Sequence, residues 1–402
     1  MNVLLLTQVL PYPPDSGPKV KTFNVIKYLS ERHQVTLVSF VRGDQQTEIE
    51  YLRRYCSAVH TVPMKRGPVP DALAFARSFL SAQPWMMVRD DRRAMRDMVD
   101  HLAATQPFAV SHADQLNMAQ YARRVPAALK VLDAHNALWL LYQRYCATLP
   151  PGPRKWILWR DWRLLKSYEG AVVREFGAVL AVSDEDRAAL QEAAGRTVDI
   201  AVVPITVDTQ EMPVVERDTD PRHILHLGTM YWPPNIQGVE WFVKEVYPRV
   251  RSARPDVQFD VVGARPPATL LALNHADMGI HVAGFVKDPT SFTRQAALMV
   301  VPLLAGGGMR VKILHALAQG LPIVSTSLGC EGIGVSDGCH LLVGDDPERF
   351  AGQVLRLLDD PALGRKLAAN GRALVEQDYD YRSACRPLEA IYARAMGAES
   401  AG

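Results

Sequence analysis

Apolar and polar positions along this chain fall into two rounds of one alternation, in which short runs of leucine and β-branched residues give way to longer stretches with helical spacing. In the first round the short runs are Asn2 to Thr7, Gln34 to Phe40, Phe108 to His112, Val131 to Leu132, Ala178 to Ser183 and Ala201 to Pro204. They are apolar throughout, as strands buried on both faces of a parallel sheet are. A helix predicted from about Lys19 to Glu31 joins the first two runs, giving a β-α-β unit. Tyr51 to Val110 reads as polar helical stretches, and Asp184 opens another helix. Thr206 to Pro221 carries acids, threonines and prolines with little periodicity, which predicts a linker. The second round restarts at His223 to Leu227 and continues with Val257 to Gly263, Ile280 to Val286 and Leu298 to Leu304, with Leu341 to Val343 extending it. Helices are predicted from Asn235, as N-cap, to near Arg254, over 289–297 and 309–319, and then over 347–358, 361–376 and 381–396. The expected organisation is α/β: a first domain over 1–205, a linker over 206–221, a second domain over 222–377 and a C-terminal segment over 378–402.

The stretch PLLAGGGMRVKILHALAQGLPIVST, from Pro302 to Thr326, concentrates the chemistry of the second half. Gly306, Gly307 and Gly308 break a strand and feed a helix, whose first turn presents unpaired N–H groups and the positive end of a dipole. Arg310 and Lys312 add cations there, where they oppose the dipole by roughly 0.3–1 kcal/mol each unless an anion binds. The bland alternative is a plain turn with two cations reaching for water. In the first half, the loop QVLPYPPDSGP follows the first strand and brings Gly17 just before a helix. No GxGxxG occurs there, which argues against a dinucleotide oxidoreductase. His135, in the run Asp133-Ala134-His135-Asn136, sits at a strand's carboxyl end, where open sheets bind ligands, although a lone loop histidine is often structural. From Pro150 to Glu169, Trp156, Trp159 and Trp162 alternate with five cations on a basic amphipathic helix. Such a helix suits an anionic membrane surface or a span across two domains.

A length of 402 residues exceeds what one core usually organises, in line with two domains. Lys+Arg 45 against Asp+Glu 43 leaves a net charge of +2, so no global field points to nucleic acid. Cys56, Cys146, Cys330, Cys339 and Cys385 show no metal-ligand spacing, and free thiols in a reducing compartment are expected, with no metal site. The opening MNVLLLT carries no leader pattern and the sequence has no run of 18 or more apolar residues, so the expectation is a cytoplasmic protein that does not span a membrane.

With these pieces in place, the chain resembles the retaining glycosyltransferases of the GT-B fold, family 4, and most closely their surface-polysaccharide branch. The motifs that carry the resemblance are PYPPDSG, DAHN and AVSDED in the first half. In the second half they are YWPPNIQGVEWF, AGFVKD, GGGMRVKILHALAQGLPIVSTSLGCEGI and DDPERFA. The resemblance implies two Rossmann-like domains facing a cleft, a C-terminal helix crossing back to the first, and a nucleotide-sugar donor held by the second without a metal. It implies that Arg310 and Lys312 neutralise the donor diphosphate, that Gly307, Gly308 and Met309 lie against it, that Gly17 approaches it from the first domain, that His135 lies beside the transferred sugar, and that Val286 meets the nucleobase. The acceptor implied is a glycan, a lipid-linked sugar or a small molecule. Two departures stand out. Where the family commonly carries a Glu-x7-Glu pair this chain has Gly307 and His315, and GTMYWPPN replaces a loop that usually supplies an Arg and a Lys. The resemblance implies that His315 faces the ribose in place of the second Glu, the alternative being a helix histidine packed in the core, and Glu331 offers a carboxylate toward the sugar or simply caps a helix. A GT-B epimerase and a degenerate binding protein are the alternatives.

Overall fold

The computed structural model describes residues 1–64, 66–219, 221–306 and 308–399. Two compact units divide the chain, one made of Met1–Thr206 with the segment from Tyr381 onward, the other of Val207–Asp380.

The first unit is built on a 7-stranded sheet, all of whose pairings are parallel. Its strands are β1 (Asn2–Thr7), β2 (Gln34–Val41), β3 (Ala58–Pro63), β4 (Val110–Asp114), β5 (Leu129–Asp133), β6 (Ala178–Ala181) and β7 (Ile200–Val202), in the order β3-β2-β1-β4-β5-β6-β7. Alternate residues of β1 serve different cores: Leu4 and Leu6 pack on one side of the sheet, Val3 and Leu5 on the other. That is why the sequence of β1 is apolar without alternation. The terminal helix Pro387–Glu399 joins the second of these cores through Leu388, Ile391, Tyr392 and Ala395. β3, which sequence reasoning did not separate from its helical surroundings, is an edge strand, and only Val62 of its six residues is fully covered.

The second unit carries a 6-stranded parallel sheet: β8 (His223–Leu227), β9 (Gln258–Val262), β10 (Ile280–Gly284), β11 (Ala296–Val301), β12 (Ile323–Ser325) and β13 (Leu342–Val343), in the order β10-β9-β8-β11-β12-β13. Strand order reverses at β1/β4 in one unit and at β8/β11 in the other. Ligands of open parallel sheets bind outside the carboxyl ends of the strands at such reversals.

Two local expectations change. Asn235 does not cap its helix, which runs Pro233–Trp241 from an uncapped Trp232 and continues through one π-turn, Phe242–Val246, into Tyr247–Ala253. The stretch expected as a linker is tied down on the second unit. Val215 N–H donates to the Gln319 carbonyl at 3.0 Å, Asp218 N–H to that of Arg294 at 2.9 Å, and Arg372 donates to the carbonyls of Met212 and Thr209. The backbone of this stretch finds its partners on the second unit, which a sequence pattern cannot distinguish from a solvated tether.

Candidate active site

At the β8/β11 reversal, the chain leaves β11 through Pro302 and turns at Gly306 and Gly308, whose φ angles of 119° and 80° lie in the region that disfavours other residues. Gly307 lies outside the described residues. The helix Val311–Ala318 follows, with Arg310 at its N-cap. The Thr326 hydroxyl, just past β12, donates to the Leu303 carbonyl at 2.6 Å and fixes where the turn starts. Arg310 donates through Nη1 to the Gly308 carbonyl at 2.5 Å, which folds its guanidinium back over the glycine turn.

Lys312 is part-buried, and its Nζ donates to Asn235 Oδ1 at 3.0 Å. Asn235 is buried and donates in turn to the Thr229 carbonyl at 3.0 Å. This is the role that the sequence pattern mistook for a cap. The loop after β8 has room for both side chains because residue 228 is glycine: a Cβ there would stand 3.0 Å from both Lys312 Nζ and Asn235 Nδ2. Burial first, and the Arg310 charge second, push the Lys312 ammonium down to about 7. A cation in that state gains strongly from an arriving anion.

Two of the histidines in this unit bear on the site, His226 and His315. His226, on β8, is fully buried, and its Nδ1 stands 3.0 Å from the Val300 carbonyl, which can only accept. The proton therefore sits on Nδ1, and Nε2 is an acceptor without a protein partner. Burial, reinforced by Lys312, holds this ring neutral. His315, one turn beyond Lys312, is brought down to about 4 by burial and is neutral too; its buried Nε2 has no protein partner. Met309 is buried, while Val286 in the loop after β10 and Glu331 in the loop after β12 are part-buried. Because all these strands are parallel, Gly228, Val286, the glycine turn and Glu331 follow carboxyl ends on one edge of the sheet.

In the first unit the corresponding edge holds a buried charged cluster. Lys21, on the helix Gly17–Ser30, contacts Asp133 Oδ1, and both side chains are fully buried. Asp133 Oδ2 lies 3.6 Å from His112 Nε2, and His112 Nδ1 lies 2.6 Å from the Tyr392 hydroxyl. Asp114, at the end of β4, accepts from the Thr22 hydroxyl at 2.8 Å and stands 2.9 Å from His135 Nε2. Burial alone would raise the Asp133 carboxyl, but Lys21, with His112 and His135, outweighs it and holds the group far below the usual range. His135 is 4% exposed, so the loop predicted to offer it to a substrate folds it inward. Gly17 is the first residue of its helix and is part-buried. The helix Leu138–Thr148, which follows the His135 loop, is capped from other elements: Glu169 accepts the N–H groups of Leu138 and Trp139 at 3.1 Å each, and Asp186 that of Ala137 at 2.7 Å.

Asp114, Asp133 and His135 bring possible ligand atoms within 4.8 Å of one another. A divalent cation there would have to displace the Lys21 ammonium, which already neutralises Asp133 in the dry interior. Sequence reasoning missed Lys21, Asp114, His226 and Gly228. The one visible signal was the DAHN run, and the others need the strand order to bring them together.

Residues 221–360 match the family model of glycosyl transferases group 1. An uncharacterised 44.6 kDa protein in the cps region of Klebsiella pneumoniae is 21% identical over 94% of this chain and 96% of its own. A GDP-mannose-dependent monoacylated α-(1-6)-phosphatidylinositol monomannoside mannosyltransferase of Corynebacterium glutamicum is 30% identical over 33% of this chain and 38% of its own. Among solved structures, HepE of Anabaena in complex with UDP and glucose superposes with a TM-score of 0.66 at 14% identity, covering 98% of this chain and 99% of that one. None of the described helices is long and apolar enough to cross a membrane. The match over residues 221–360 places a group 1 glycosyl transferase domain in the second unit, and the likeness of fold over nearly the whole length gives the chain the two Rossmann-like domains of the GT-B fold.

Proposed function

We propose that this glycosyltransferase moves a sugar, with retention of configuration, from a nucleoside diphosphate sugar to a glycan, lipid-linked or small-molecule acceptor in surface-polysaccharide assembly. The observation that carries the donor assignment is the desolvated Lys312 beside Arg310 at a helix N-terminus behind a glycine turn. Cleavage of the sugar-phosphate bond leaves a nucleoside diphosphate that gains negative charge in the transition state. Cations already fixed and stripped of water stabilise that state more than the ground state. In this reading Arg310 and Lys312 take the diphosphate, with the backbone of Gly307, Gly308 and Met309 against it. His315 takes the ribose, Val286 the base and Glu331 the sugar. Gly17 is kept as a donor contact, whereas His135, folded inward onto Asp114, is left out of the sugar contact. No cation is needed, because the two side chains supply the positive charge. The base is drawn from the two chemistries that relatives carry, the uridine of the HepE complex and the guanosine of the Corynebacterium donor.

The proposed place of work is the cytoplasmic side of a membrane, with the basic helix Pro153–Glu175 touching anionic lipid. Incubation with UDP-glucose or GDP-mannose tests the activity. Sugar transfer only when an acceptor is present, with the anomeric configuration kept in the product and turnover unaffected by chelator, is expected. Donor isomerised without acceptor would make it an epimerase, and bound but unturned donor would overturn the catalytic assignment.

A further inference from the structure

The helix Pro68–Ser81 turns its apolar face outward. Val69, Leu73, Ala76 and Leu80 recur at helical spacing on one face, and Val69, Leu73 and Leu80 are 68%, 61% and 89% exposed. The opposite face, through Ala74 and Ser78, is the buried one. A surface helix ordinarily does the reverse, and single exposed leucines need no explanation whereas a stripe does. The stripe continues onto the helix Pro153–Glu175. Phe79 stacks on Trp156 at 6.2 Å between centroids, and Arg160 lies 4.0 Å over the Phe79 ring while donating to the Ser78 carbonyl at 2.6 Å. Trp156 and Trp159 remain 56% and 44% exposed.

We propose that this two-helix face seats the first unit on an anionic lipid bilayer, with the Val69-Leu73-Leu80 stripe among the acyl chains and the indoles of Trp156 and Trp159 at headgroup depth. The inference deepens, and rests on, the membrane contact proposed above for the basic helix. Charge selects the occupant. Arg77, Arg154 and Arg163 are exposed around the face, whereas Asp161 and Glu169, the acids of the basic stretch, are buried, Asp161 accepting the Trp85 N–H at 2.8 Å. Anionic headgroups complement such a rim. A second copy docking face to face would set the same cations against themselves. No described helix crosses a membrane, so the two helices lie in the interfacial plane.

Co-sedimentation of the full chain with phosphatidylglycerol and phosphatidylcholine vesicles tests the proposal. The parent is expected to pellet with the former, to be released by salt and to ignore the latter. A Leu73→Asn/Leu80→Asn variant, altered at two exposed positions, should keep its thermal midpoint and its affinity for UDP-glucose or GDP-mannose while its partitioning falls by about tenfold or more. If that variant bound like the parent while Trp156→Ser/Arg163→Glu did not, the stripe would be excluded and the basic helix alone would hold the contact. A parent that ignores both vesicles overturns both readings and leaves the transferase reading untouched. A concentration-dependent dimer abolished by Leu73→Asn/Leu80→Asn would assign the face to a second copy and overturn the proposal.

Discussion

Lys312 is unfavourable where it stands unless something negative arrives, and that sets the first two predictions. Its ordinary pKa of 10.5 falls to about 7 through burial and Arg310. Between those values the unfolded chain binds more protons than the folded one. The cost of burying the ammonium is therefore complete below pH 7 and fades as pH rises toward 10.5. Lys312→Met should leave the free protein as stable as the parent or more so, yet lower kcat/KM by about ten- to a hundredfold, the loss of a charge-assisted bond in the transition state. A variant with parental kcat/KM would remove Lys312 from the reaction. A bound diphosphate restores the lysine proton, so donor binding should take up a proton above pH 7 and weaken as pH rises. Titration calorimetry of UDP-glucose and GDP-mannose at about pH 8, in buffers of different ionisation enthalpy, reads that uptake, and none at all would contradict the contact. His315 stays neutral, with Nε2 buried and unpartnered in the protein. His315→Ala is expected to weaken UDP or GDP binding by about 1 kcal/mol and leave pyrophosphate binding unchanged. Equal weakening of both would place the histidine away from the ribose.

Elements explain how these residues are held. The helix Leu138–Thr148 has no cap of its own, and its first N–H groups are taken by Glu169 from the neighbouring helix and by Asp186. That arrangement fixes the end of the loop that carries His135. Burial raises the Glu169 carboxyl to about 8 despite the two amides. Above pH 8, where the carboxylate forms, Glu169→Gln turns an amide donor toward one of the helix N–H groups and should cost roughly 1–3 kcal/mol, read from the urea midpoint at about pH 9. An unshifted midpoint would mean that the carboxylate does not carry the cap. Periodicity made most strands legible, and the basic helix as well, though it runs to Glu175 beyond its expected end. It did not reveal the helix Pro68–Ser81, because an apolar stripe signals one face of a helix without saying whether that face meets a core or something outside the chain. It also misplaced Asn235: a cap and a side-chain partner to a lysine 77 residues away draw on the same residue chemistry.

In the whole molecule, the C-terminal helix is the element whose place depends most on the rest of the fold. Tyr392 is fully buried in a core that the segment from Tyr381 to Ala395 shares with residues between Val3 and Val203, and its hydroxyl meets His112 at 2.6 Å. Tyr392→Ala should destabilise the first unit by about 3–5 kcal/mol, measured by denaturant unfolding. A parental transition would mean the helix is not part of that core. The sequence by itself determined the α/β class, the strand runs, the glycine turn and the cations after it, because those are local: hydrophobic period, backbone freedom and dipole all act within one or two turns. It also carried the motifs on which the resemblance to the group 1 glycosyltransferases rests. Only the tertiary structure decided which residues share a site. Strand order set Gly228 beside Lys312 and Lys21 against Asp133, since a parallel sheet gathers at one edge the ends of strands far apart in the chain. Burial, which no single residue owns, then set the protonation of Lys312 and His315, while the Lys21 ammonium kept Asp133 charged against it.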